Sequence, residues 1–120
     1  MKQYKRTDRL QEQILRDISS LLEQPLKEHA GGLLTITRVK VTADLRYATI
    51  YYSFLGRDED RRRAESYIER EKGRLRSELA RGLRTRNVPE LTFKFDPSIE
   101  ESIRIEQLFE QIKNEGNKNS

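Results

Sequence analysis

The stretch DEDRRRAESYIEREKGRLRSELARGLRTRNVPELTFKFD, Asp58 to Asp96, decides the fold. Read as a helix from Asp58 to Arg84, it sets Ala64, Ile68, Leu75, Leu79 and Leu83 on one stripe at helical spacing, the pattern of a helix with one buried side. At about 100° per residue, Arg70, Arg74, Arg81 and Arg84 fall on the opposite side, where solvent or a polyanion would meet them. Continuing the stripe from Ile68 to Leu75 puts Lys72 on the buried side, with Gly73 directly after it. Glycine costs roughly 0.5 to 1 kcal/mol against alanine inside a helix, so the coincidence predicts a kink, with helices over 58–71 and 73–85. Asn87-Val88-Pro89 then stops the helix, because proline disfavours helical geometry in the residue before it and lacks an N–H. Leu91-Thr92-Phe93-Lys94-Phe95 alternates apolar and polar with aromatic enrichment, as a half-buried strand does.

Outward from this unit, the preceding chain supplies a helix and two strands. Thr7 and Asp8 are N-cap residues, Gln11 follows Asp8 by three, and Leu10, Ile14, Ile18, Leu21 and Leu22 form an apolar face, which predicts a helix over 8–24. Pro25 and Gly31-Gly32 mark its end and a loop that contains His29, read as an exposed linker residue. Residues 33–41 read as a strand whose alternation changes phase near Thr37 and Arg38, the signature of a bulge. Residues 42–46 are short enough for a hairpin connection. Over 47–55, Ala48, Ile50, Tyr52 and Phe54 share the inner face of a second strand. Downstream, Asp96-Pro97-Ser98 opens a short last helix, with Ser98 and Glu101 at capping-box spacing and Ile105, Leu108, Phe109 and Ile112 as its apolar face. Residues 113–120 lack periodicity and read as a frayed tail, which leaves one domain over 1–112. The order α-β-β-α-kink-α-β, with the two-helix connection long enough for a crossover, predicts an α+β two-layer sandwich.

Composition narrows the function. There is no cysteine and a single histidine, which excludes disulfides, thiol nucleophiles and histidine metal clusters. No run approaches the roughly 20 apolar residues of a membrane span, so a cytoplasmic protein without a membrane partner is expected. The formal net charge is +4 but regional. Residues 70–86 hold seven basic against two acidic groups and residues 1–16 five against two, while 17–69 and 87–120 come to −1 and −3. A positive field concentrated on the N-terminus and the second helix of the pair points to an anionic partner.

Catalytic readings find little support. There is neither a Ser-His-Asp set nor a phosphate loop, Glu100 and Glu101 are most economically surface charges, and no cofactor is expected. The acidic run Asp58, Glu59, Asp60 suits the positive end of a helix dipole; as a metal-dependent hydrolase site it would have ligands pointing in different directions. The arginine ridge has a plain alternative too, since Glu65, Glu69 and Glu78 are near enough on the helix for ion pairs. Its arginine-dominated character, suited to forked phosphate contacts, and the reinforcement from Lys5, Arg6 and Arg9 favour phosphate binding. The aromatic residues Tyr52, Phe54, Phe93 and Phe95 occupy strand phases assigned to the core, so base stacking has no visible platform.

Arg6-x-x-Arg9, Asp44-Leu45-x-x-Ala48, Gly73-x-x-Arg76 and above all the run Leu83-Arg84-x-Arg86-x-Val88-Pro89-Glu90-Leu91-x-Phe93-x-x-Asp96-x-Ser98 resemble bacterial ribosome-binding factor A, a small cold-shock-associated assembly factor of the small ribosomal subunit. The resemblance covers roughly residues 5 to 109. It implies a type II KH-like fold in which a kinked helix pair replaces the usual Gly-x-x-Gly loop. In the family the kink carries an Ala-x-Gly element; here those positions read Glu71-Lys72-Gly73. The resemblance also implies a noncatalytic RNA-binding protein that associates with the immature small ribosomal subunit, its precursor rRNA and other assembly factors, and assists late rRNA maturation; nothing in the sequence demands more than a monomer. Arg6, Arg9, Gly73, Arg76, Arg84 and Arg86 carry over as RNA-binding positions. Arg70, Arg74 and Arg81 join from helical geometry and Lys5 from the N-terminal field, and Lys72 completes the expected RNA-binding set. A different class, a protein-interaction module whose basic helix face meets an acidic protein, is the alternative, and survival of partners after nuclease treatment would distinguish it.

Overall fold

The computed structural model of the chain describes residues 6–83 and 87–118. Among these, the order is α1 (Arg6–His29), β1 (Leu33–Val41), β2 (Tyr47–Leu55), α2 (Asp58–Gly82), β3 (Glu90–Phe95) and α3 (Ser98–Lys118). The strands form one sheet in the order β1-β2-β3, with β1 antiparallel to β2 and β3 parallel to it. A parallel neighbour demands a long crossover, and α2 is that crossover. The helices α1 and α2 pack side by side on one face of the sheet, which gives the expected α+β two-layer architecture.

The core lies between the two layers. Its helical part is Leu10, Ile14, Ile18, Leu22 and Leu26 from α1 with Ala64, Ile68, Leu75 and Leu79 from α2; Leu83, just past the helix end, completes the predicted stripe. Ala48, Ile50, Tyr52 and Phe54 come up from β2, and Leu91 from β3, with Phe93 and Phe95 half-buried on the same phase. In β1 the inward residues are Leu34 and Ile36 before the bulge and Val39 and Val41 after it. The register slips between Ile36 and Arg38, which moves the inner phase by one residue.

Three boundaries differ from the sequence reading. First, α1 does not stop at Pro25 but continues to His29. A proline inside a helix costs about 3 kcal/mol, and burial of Leu26 one residue later, in the same row as Leu22, offsets it. Second, the helix pair is a single helix without a break at Gly73. Lys72 is only half-buried, so its aliphatic stem covers core while its ammonium reaches water, and no break is needed to expose it. That helix ends at Gly82, whose carbonyl accepts a hydrogen bond from Gln13 Nε2 of α1 at 2.8 Å. Third, α3 is long. It reaches Lys118 through the expected tail, as propagation without a proline allows, and its apolar residues Ile105, Leu108, Phe109 and Ile112 stand exposed. Its cap is Asp96, whose Oδ1 accepts from the Ser98 N–H at 3.0 Å, with Pro97 at the first helical position.

Candidate functional site

The arginine row on α2 extends further than the sequence reading placed it. Arg63, Arg70, Arg74 and Arg81 lie within about 40° of arc on the helix, on the flank toward α1, and span about 27 Å of its length. Arg63 was missed, although it precedes Arg70 by seven residues and so shares its side of the cylinder. Asp60 and Tyr67, on the adjoining strip of helix, are buried. The end of α1 covers that strip: the His29 ring stacks on the Tyr67 ring at 4.9 Å between centroids with 20° between planes.

Ion pairing divides the cations. Arg74 Nε contacts Glu71 Oε2 at 2.7 Å, and its Nη2 donates to the Tyr67 hydroxyl at 3.2 Å, which leaves only part of its donor fork free. Arg81 pairs with Glu78 at 3.8 Å with four-fifths of its side chain exposed, a contact worth little in water. Arg63 reaches Asp60 at 3.7 Å. Among the described residues, Arg62 and Arg70 are paired with no carboxylate.

Arg76 is placed elsewhere. It lies on the flank toward β3, and its Nη2 donates to the Val88 carbonyl at 2.8 Å, clamping the segment that leads from α2 into β3. On the same flank, Arg61 lies over the Phe95 ring at 4.5 Å, and the Tyr52 hydroxyl donates to Glu65. Burial and that carboxylate push the Tyr52 phenol well above the usual tyrosine range. Gly73 is exposed, with open space where a Cβ would stand. Arg6 and Arg9 occupy the exposed first turns of α1, near the end of α2, since Gln13 of α1 holds Gly82. Lys5, Arg84 and Arg86 lie outside the described residues. Among the described residues, Arg6, Arg9 and Arg81 thus lie near the α1 start and α2 end, with Arg74, Arg70 and Arg63 leading away along α2.

The acidic residues have local duties. Asp60, 5% exposed, pairs with Arg57 at 3.2 Å and with Arg63, and a Cβ added to Gly31 would stand 3.0 Å from its carboxyl, so it seats the glycine loop on the start of α2. Hydrogen bonding from Arg57 holds its carboxyl below the usual carboxylate range. Asp44 accepts from the Thr42 hydroxyl at 2.6 Å and the Arg46 N–H at 3.1 Å in the β1–β2 turn, whose Leu45 adopts φ 62°. Those bonds, Thr42's first, lower its pKa as well. Among the described residues no three His, Asp or Glu side chains gather as a metal site, and no helix is long and apolar enough to cross a membrane.

A family model described as ribosome-binding factor A matches residues 6–109. The chain belongs to that family. A ribosome-binding factor A of Citrifermentans bemidjiense is 44% identical over 108 residues, 90% of this chain and 91% of the relative. The crystal structure of ribosome-binding factor A from Thermus thermophilus superposes with a TM-score of 0.59 at 28% identity, covering 76% of this chain and 96% of that one. A homology model of the Thermus thermophilus ribosome-binding factor A, fitted into the cryo-electron-microscopy map of its 30S complex, gives a TM-score of 0.62 at 25% identity over 74% of this chain and 93% of its own.

Proposed function

We propose that the chain is a noncatalytic cytoplasmic assembly factor that binds the immature small ribosomal subunit through its precursor rRNA and assists late maturation of that rRNA. The observation that carries this reading is the arginine row of α2, about 27 Å long and bordered by the basic start of α1. A row of guanidinium forks on a rigid helix meets successive phosphates of an RNA backbone and reads shape rather than base sequence. Arg70, Arg74 and Arg81 make the contacts on α2 and Arg6 and Arg9 those on α1, with Lys5, Lys72, Arg84 and Arg86 adding to the same field. Gly73 leaves room for a backbone to approach, and Arg76 supports the interface by holding its loop. A Thermus thermophilus relative fitted into a 30S complex supports the choice of partner.

Co-sedimentation of the purified protein with immature and mature small subunits, at low and moderate salt, tests this. Salt-sensitive binding to the small subunit and none to the large is expected. Absence of binding at low salt would refute the reading and return the basic face to an acidic protein partner.

A further inference from the structure

The row of arginines ends in a concavity of which the phosphate-contact reading uses Arg70 alone. His29 at the end of α1, with Arg62, Arg63, Ser66 and Arg70 of α2, lines a shallow cleft of about 430 Å³, within the size range of small-ligand sites. Its two features are different in kind. Of the three arginines of the cleft, Arg63 is paired with Asp60 while Arg62 and Arg70 have no carboxylate partner among the described residues, and a guanidinium fork matches a phosphate oxygen pair. Beside them stands the His29 ring, exposed, with Tyr67 stacked beneath it. Tyr67 is itself buried and its hydroxyl is held by Arg74, so the platform under His29 is fixed in place.

We infer that this cleft is a binding site for a single unpaired nucleotide, whose base stacks on His29 and whose phosphate is held by Arg62 and Arg70, with Arg63 and the Ser66 hydroxyl at its edge. The inference rests on the RNA-binding reading and adds a preference to it. A base inside a duplex has both π-faces covered by its neighbours, so only an unstacked base can use an aromatic platform. Phosphate contacts along the rest of the row accept paired and unpaired RNA alike; the cleft favours a strand with a free base beside a helix. Asp60, the carboxylate next to Arg63, does not oppose the phosphate, because Arg57 shares its charge.

Fluorescence anisotropy with a short single-stranded oligoribonucleotide, its abasic counterpart and an RNA duplex tests the site on the full chain. His29→Ala should weaken binding of the single strand roughly tenfold, from the typical worth of one stacked base, and leave duplex and abasic binding unchanged. His29→Phe should restore the single-strand affinity, since it keeps a ring on Tyr67. Arg70→Gln should reduce the magnitude of the salt slope by about 0.7, one phosphate of a single strand. His29 is exposed at a helix end, so its replacement leaves the core intact. Equal affinity of the unmodified chain and His29→Ala for the single strand would overturn the nucleotide site while salt-sensitive binding to small subunits still held. If the unmodified chain bound neither RNA nor subunits, both readings would fall.

Discussion

Gly73→Ala tests whether α2 is one helix. The glycine lies in the middle of a 25-residue helix, exposed, and a Cβ built on it meets no heavy atom within 4 Å. Nothing in the packing requires the missing side chain, so the substitution should act only through the backbone. Alanine loses less conformational freedom on folding than glycine, a gain of about 0.5 to 1 kcal/mol. For a domain of this size that corresponds to a rise of about 2 to 5 °C in Tm. Calorimetric or circular-dichroism melts of the two proteins at equal concentration give the answer. A fall in Tm would refute the continuous helix, since it would mean that the backbone at Gly73 adopts a bend that alanine resists. Small-subunit co-sedimentation of the same variant separates a second role: a higher Tm with weakened binding would assign the glycine to close approach of the RNA backbone.

The same chemical change has the opposite sign at Gly32, where φ is +74° and an added Cβ would stand 2.6 Å from Phe54 Cζ and 2.7 Å from the Leu55 carbonyl oxygen; Gly32→Ala should lower the unfolding free energy by roughly 2 kcal/mol or more in urea titrations. Arg76→Gln loses an exposed, charge-assisted hydrogen bond to Val88, so a loss of about 1 kcal/mol is expected with the salt slope of RNA binding unchanged; an unchanged Tm with a smaller slope would make Arg76 a phosphate contact instead. Asp44, Asp60 and Asp96 all have carboxyls held below their ordinary range, chiefly by hydrogen bonds from Thr42, Arg57 and Ser98 respectively. Their contribution is therefore complete above about pH 5 and is lost as the pH falls past the unfolded value of about 4 and on through the lower folded values, so the urea midpoint should fall steadily below about pH 5. Tyr52 acts in the other direction: above about pH 10 it ionises in the unfolded chain before the folded one, so stability is lost as the pH rises, and Tyr52→Phe should remove that part of the alkaline loss.

Periodicity is legible wherever an element is regular. The stripe Ala64, Ile68, Leu75, Leu79, Leu83 and the face Ala48, Ile50, Tyr52, Phe54 are buried as their spacing required, and the phase change near Thr37 is a bulge. Leu26 follows Leu22 at the same spacing of four, but the proline at 25 overrode that signal and ended the first helix too early, and periodicity alone could not show that Lys72 reaches water from a half-buried position. His29 escaped for the first of these reasons: with the helix ended at Pro25 it had no fixed place, and its stack on Tyr67 joins residues 38 apart in sequence. Arg63 was legible, because the spacing that grouped Arg70, Arg74 and Arg81 reaches it one heptad earlier.

Charge alone could not have separated the two flanks of α2, since both are rich in arginine. Their partners separate them. Toward β3, Arg61 covers Phe95, Glu65 receives the Tyr52 hydroxyl and Arg76 holds Val88, so these three groups already fix the helix to the sheet or to the segment that follows it. Toward α1 and solvent, the partners are neighbours on the same helix and tie it to nothing else: Glu71 holds Arg74 at 2.7 Å, Glu78 lies 3.8 Å from Arg81, Asp60 is shared between Arg57 and Arg63, and Arg62 and Arg70 have no carboxylate among the described residues. A cation engaged by the fold must give up its partner before it can meet a phosphate, which offsets much of the gain; a cation already in water gives up only counterions and hydration. The flank bordering α1 is thus the one from which an RNA backbone can draw net binding, and within it Arg70 should contribute more than Arg74, whose Nε is already occupied at 2.7 Å by Glu71.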